Sequence, residues 1–153
     1  MRKSLFFLFF ICISGLSNGQ PVYPYRDIKL EKPSDYVETE SMALSAATFL
    51  LTTPFVEVDV NRSGALEFLS NWMFGNKKYS FYMAGKAAEL NADNNLLSLF
   101  VAAMAKYTLE NKAEAVNPLI VDQHAARLVI AYCDDPKHNF KLKNKYRKVF
   151  EKN

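Results

Sequence analysis

An all-α fold is what this 153-residue sequence predicts: an irregular bundle or stack of hairpins of five to six helices after an extended N-terminal arm. Three observations carry the prediction. Apolar residues recur at three- and four-residue spacing through most of the chain, the period of a helix with one buried face. Beyond residue 19 glycine occurs only at Gly64, Gly75 and Gly85, while Ala, Leu, Lys and Glu are abundant, so helix formers far outweigh turn formers. Cap residues and prolines, finally, punctuate the periodic runs at their ends.

The first nineteen residues, MRKSLFFLFFICISGLSNG, read as a signal peptide. Arg2 and Lys3 form a positive start, 5–13 an apolar run, and Ser17 and Gly19 supply the small residues of a cleavage site before Gln20. The apolar run is too short to span a bilayer, which needs about 18 or more such residues, so no transmembrane segment is expected after signal removal. The protein is therefore expected to be exported, to the periplasm or fully secreted. Cys12 follows Phe9, Phe10 and Ile11 rather than a small residue, which argues against a lipid anchor and leaves Cys133 as a lone mature thiol.

Residues 20–33 hold Pro21, Pro24 and Pro33 and read as an extended arm that docks through Val22, Tyr23, Tyr25 and Ile28. Residues 34–153 then form a single helical domain. Its first helix is predicted over 35–51, with Asp35 and Glu38 as a capping box and Met42, Ala46, Phe49 and Leu50 on one face before Pro54. A second, starting at Asp59 or Asn61 and ending at Phe74, carries Ala65, Phe68, Leu69 and Trp72, with Gly75 after its end. The stretch 75–83 reads as a turn and an extended segment, and 83–90 as a short helix. The run 93–111, with Leu97, Phe100, Val101, Met104 and Tyr107 or Thr108 on one side and small Ala102, Ala103 and Ala105, is the expected central helix. Asn117-Pro118 marks the start of a fifth helix to Cys133, and Asp134, Asp135 and Pro136 separate it from a last one over 139–152. The core is expected around Phe49, Phe68, Trp72, Phe100, Met104 and Leu128.

Motifs that could carry chemistry are few. The run from Asp59 to Glu67 resembles the start of a calcium loop, with oxygen donors at positions 1, 3, 5 and 9 and Gly64 at 6. Position 12 is Ser70, where that loop needs a bidentate carboxylate, so the run reads instead as a turn and a helix start capped by Asp59 or Asn61. Cys133 lies about 180° around its helix from His124, and His138 is beyond Pro136, so no cysteine–histidine pair is expected. No metal-ligand spacing is present, and no cofactor is expected.

Charge is concentrated at the end of the chain. Residues 137–153 carry seven Lys/Arg against one acid, whereas 20–136 carry ten against fifteen. Lys141, Lys145, Lys148 and Lys152 recur at helical spacing beside an apolar stripe of Leu142, Tyr146, Val149 and Phe150. This basic amphipathic helix is the candidate partner-binding site, for an envelope protein or an anionic surface. No nucleic-acid recognition motif accompanies it.

Thr53-Pro54, Asn61-Arg62, Phe68, Trp72-Met73 with Gly75, Tyr79-Ser80-Phe81, Ala102-Ala103-Met104, Tyr107, Glu110-Asn111-Lys112 and Ala131-Tyr132-Cys133 before Pro136 together resemble a group of small exported helical proteins of Bacteroidetes-type bacteria. The resemblance covers about 45–140 and departs at Asn76, Lys77 and Lys78, where that group has a Thr-Pro-Asp turn. It implies an α-helical exported protein without an established activity, and Asn61 and Arg62 that tie a helix start to a neighbouring helix. The function expected from the sequence is a non-enzymatic, exported interaction or envelope-associated module. The alternative is a hydrolase-type site assembled from carboxylates distant in sequence, with Glu67, Glu89, Asp122 and His124 as contributors.

Overall fold

The structure, a computed structural model, describes residues 25–152. The predicted signal peptide and residues 20–24 of the predicted arm lie outside the described residues. Among the described residues the chain forms α1 (Pro33–Glu38), α2 (Glu40–Thr52), α3 (Val60–Gly75), α4 (Lys86–Glu89), α5 (Asn94–Glu110), α6 (Pro118–Asp134) and α7 (Asn144–Glu151). Single 3-10 turns stand at Tyr25–Asp27, Glu114–Val116 and Pro136–His138, and there is no strand among these residues. The all-α expectation holds.

The predicted first helix is divided at Thr39. Its hydroxyl donates to Asp35 O at 2.5 Å, competing with the backbone ladder and bending the chain between α1 and α2. The cap also moves by one turn. Asp35 is not the first residue of the helix but sits inside it, its carboxylate accepting from the N–H groups of Glu31 (2.9 Å) and Lys32 (3.0 Å), while Pro33 opens the helix. Those hydrogen bonds hold the Asp35 carboxyl below its ordinary range.

Helix α5 is central and packs on α2, α3 and α6. Fully buried Ala43, Ala46 and Ala47 of α2 and Ala102, Ala103 and Ala105 of α5 present methyl-sized side chains, which let helix axes approach closely. Phe68, Trp72, Phe100 and Met104 are buried as expected, whereas Phe49 and Leu128 are half-buried at the edge of the same core. Each buried aromatic contributes roughly 2–3 kcal/mol through the apolar area it removes from water.

Trp72 fixes the seam between α1 and α3. Its Nε1 donates to Tyr36 O at 2.9 Å, and the rings of Tyr79 and Phe81 lie 6.1 and 6.2 Å away. Tyr25 stacks on Phe68 at 5.7 Å and so anchors the described end of the arm on α3. Gly75 is required by close approach: a Cβ there would lie 2.0 Å from the Tyr36 hydroxyl oxygen. Gly75→Ala must push Tyr36 out of this seam, and we expect a loss of about 1–3 kcal/mol in urea unfolding, with the helical circular dichroism of the folded state retained.

Candidate functional site

The basic C-terminal segment is shaped by Asp135 and Asn139. Asp135 Oδ1 accepts from Lys137 N at 2.9 Å and closes the turn at Pro136–His138, and Asn139 then takes the left-handed region (φ 52°), which asparagine tolerates better than most residues. The chain runs on through 140–143 before α7 begins. The last helix is therefore Asn144–Glu151, shorter than the predicted 139–152. Lys141 precedes it and Lys152 follows it, so the four lysines do not share one helical face; Lys145 and Lys148 do.

The apolar stripe of this segment belongs to the core. Leu142, Tyr146, Val149 and Phe150 are buried, and Phe150 stacks on Phe100 of α5 at 5.6 Å. Beyond Lys137, which is exposed in the Pro136–His138 turn and in no ion pair among the described residues, its cations divide into two sets. Lys143 pairs with Asp93 at 3.2 Å, Arg147 with Asp134, and Lys152 with Glu89 at 3.2 Å. Lys141, Lys145 and Lys148 are exposed, and among the described residues no acid pairs with them. Lys145 Nζ lies 4.4 Å from the centroid of the Tyr146 ring, which orients it without neutralising it.

The calcium-like run is a helix start. Asp59 accepts from Asn61 N (2.7 Å) and Arg62 N (3.2 Å), which is N-cap geometry. Arg62 is buried and reaches the end of α2, donating to Leu50 O (3.1 Å) and Thr53 Oγ1 (2.9 Å) with Phe55 beneath it at 5.4 Å. Among the described residues no group of three or more His, Cys, Asp or Glu side chains is placed to hold a metal.

Cys133 is half-buried, and burial, reinforced by the Asp134 charge and opposed by Arg147, pushes its thiol up to about 12. It is a thiol rather than a thiolate at neutral pH, the wrong state for a nucleophile. His138 stacks on Tyr132 at 4.0 Å with its Nδ1 2.8 Å from Tyr132 O, and His124 stacks on Tyr107 at 4.2 Å. Tyr107 in turn donates to Glu114 Oε2 at 2.5 Å, and that bond raises its phenol above the ordinary range.

Two of the scattered carboxylates, Glu89 and Asp122, are engaged in ion pairs. Glu67 is exposed on α3, and Glu89 pairs with Lys152. Asp122 of α6 holds Lys86 of α4 at 2.9 Å, with both side chains about nine-tenths buried and Asp122 Oδ1 without a hydrogen-bond partner. Gly85 (φ 60°) makes the left-handed step that delivers Lys86 to this position. A second ionic centre surrounds Glu40. It accepts from Lys78 (2.8 Å), Tyr79 (3.0 Å) and Lys112 (2.5 Å), joining α2 to the segment after α3 and to the end of α5. Burial opposes its ionisation, but those three donors outweigh it and hold the carboxyl at about 2.

Neither centre was singled out from the sequence, except for Asp122 as an isolated carboxylate. Their partners are 36 to 72 residues apart, beyond any local spacing signal. No protein-family model, no curated protein and no solved structure matches the chain significantly.

Two consequences are measurable. Because Glu40 ionises at about 2 in the folded chain against 4.5 in the unfolded one, its contribution is complete above pH 4.5 and is lost as pH falls towards 2. Glu40→Gln is expected to lower stability at pH 7 by about 1–2 kcal/mol, the lysines being half in solvent, and to flatten the acid limb of a stability–pH curve. For the buried pair, Asp122→Ala alone is expected to cost about 3–5 kcal/mol by stranding Lys86, whereas Lys86→Met with Asp122→Leu costs far less; a double-mutant cycle by chemical denaturation measures the difference.

Proposed function

We propose that the protein is an exported, non-enzymatic interaction module that contacts an anionic envelope partner through Lys141, Lys145 and Lys148. The observation that carries this reading is the division of the C-terminal cations. Three are matched to acids of the same chain, while among the described residues these three, and Lys137 in the preceding turn, stand exposed without one. Lys152, at the end of the same segment, is shared with Glu89 and contributes less. Uncompensated cations on a rigid support attract polyanions with little ordering cost, since the buried stripe already fixes the backbone that carries them. Export rests on the N-terminal sequence and on the resemblance to exported helical proteins. No helix among the described residues is long and apolar enough to cross a membrane, which agrees with contact at a surface.

Deleting the basic segment would not test this, because Leu142, Tyr146, Val149 and Phe150 would leave the core with it. Charge reversal does. Lys141→Glu, Lys145→Glu and Lys148→Glu combined are expected to leave thermal unfolding nearly unchanged. Co-sedimentation with phosphatidylglycerol vesicles, or retention on a soluble polyanion, should fall by roughly 1 kcal/mol per lysine, on the order of a hundredfold in all. Wild-type binding should also weaken as salt rises. Equal retention of the folded variant, or no retention of the wild type on either anion, overturns the proposal.

A further inference from the structure

A second surface, independent of the lysines, lies between α3 and the segment that follows it. Ser70, Asn71, Met73 and Phe74 form one side of an open groove of about 600 Å³, Val101 lines it from α5, and Tyr79, Phe81 and Met83 line it from the other side. Phe74 is 96 % exposed, and Met83 is half in solvent. No charged side chain lines the groove.

The far wall is a stretch of chain with no regular structure of its own. Asn76 Oδ1 accepts from Lys78 N (2.8 Å) and Tyr79 N (3.3 Å), and this turn launches the chain into a run at 80–83 without helix, turn or bend. Tyr79, Ser80, Phe81 and Met83 line the groove while Tyr82 turns away over Gly85. Phe81 is pinned from behind by Trp72 at 6.2 Å. Among the described residues the N–H and C=O groups of Ser80, Phe81, Tyr82 and Met83 have no hydrogen-bond partner. An open row of backbone donors and acceptors is a template for a further strand.

We propose that this groove binds an extended, uncharged polypeptide segment of a partner protein, which adds as a strand to the edge at 80–83 and sets alternate apolar side chains against Phe74, Phe81 and Met83. The charge of the lining selects the occupant: an ionised side chain would find no counter-charge here, whereas Ser70, Asn71 and Ser80 offer neutral polar groups to an uncharged segment. Backbone pairing selects it further. A polypeptide repeats donors and acceptors at the spacing of the edge, which a sugar chain or a lipid does not.

The test uses the full chain and a blocked hexapeptide of alternating valine and threonine, followed by titration calorimetry and amide hydrogen exchange. Saturable binding is expected, with exchange slowed at 80–83. The same peptide N-methylated along its pairing side should bind at least about tenfold more weakly. Phe74→Asp, at a side chain almost wholly in solvent, should leave stability unchanged and weaken the peptide by on the order of tenfold. Absence of saturable binding at millimolar peptide, equal affinity of the N-methylated form, or unaltered exchange at 80–83 overturns the proposal. A concentration-dependent dimer abolished by Phe74→Asp would assign the groove to a second copy of this chain instead, and protection by a neutral oligosaccharide but not by peptide would assign it to a glycan.

Discussion

The guanidinium of Arg62 is the point on which the arrangement of helices depends. Helix α2 ends with Leu50 buried and Thr53 half-buried, and an unmet buried carbonyl costs about 1–3 kcal/mol. Arg62, carried into place by the first turn of α3, supplies donors to Leu50 and Thr53, and Tyr132 of α6 adds its hydroxyl to Thr53 O at 2.9 Å. The end of one helix is thus closed by side chains from two others. The negative end of the α2 dipole in turn compensates a buried cation that no carboxylate pairs with among the described residues. Phe55, Phe140 and His138 close around this junction, and Phe55 N donates to His138 O at 2.7 Å, so the turn that sets the direction of α7 is tied to the same point.

What the sequence made legible follows from the range of the forces involved. Asp59, Asn117-Pro118 and the apolar face of α5 act within a few residues, and helices starting near 60 and 118 and a central α5 are found where those signals stand. The link from Arg62 to a neighbouring helix followed only from the family resemblance, and its partners come from the end of α2. The division at Thr39 and the late start of α7 depend on hydroxyl back-bonding and on a left-handed asparagine, which composition and periodicity do not register. The ion pairs at Glu40 and Asp122 are tertiary, so their residue types were visible but their pairing was not.

The two proposed surfaces differ in the physics of recognition. The lysines act at long range, are sensitive to salt and specify little beyond sign. The groove acts at contact, through backbone pairing and apolar complementarity, and specifies conformation rather than charge. A module bearing both could gather a partner by charge and then select a segment of it by shape.

Trp72 gives the molecule a built-in optical reporter. As the sole tryptophan, fully buried with its indole N–H engaged by Tyr36 O, it emits from a single environment at the α1–α3 seam. Phe81 touches that indole from one side and lines the groove on the other. Occupancy of the groove would therefore be coupled to the tryptophan emission of the unlabelled chain, whereas Lys145 lies against the Tyr146 ring and not against that indole.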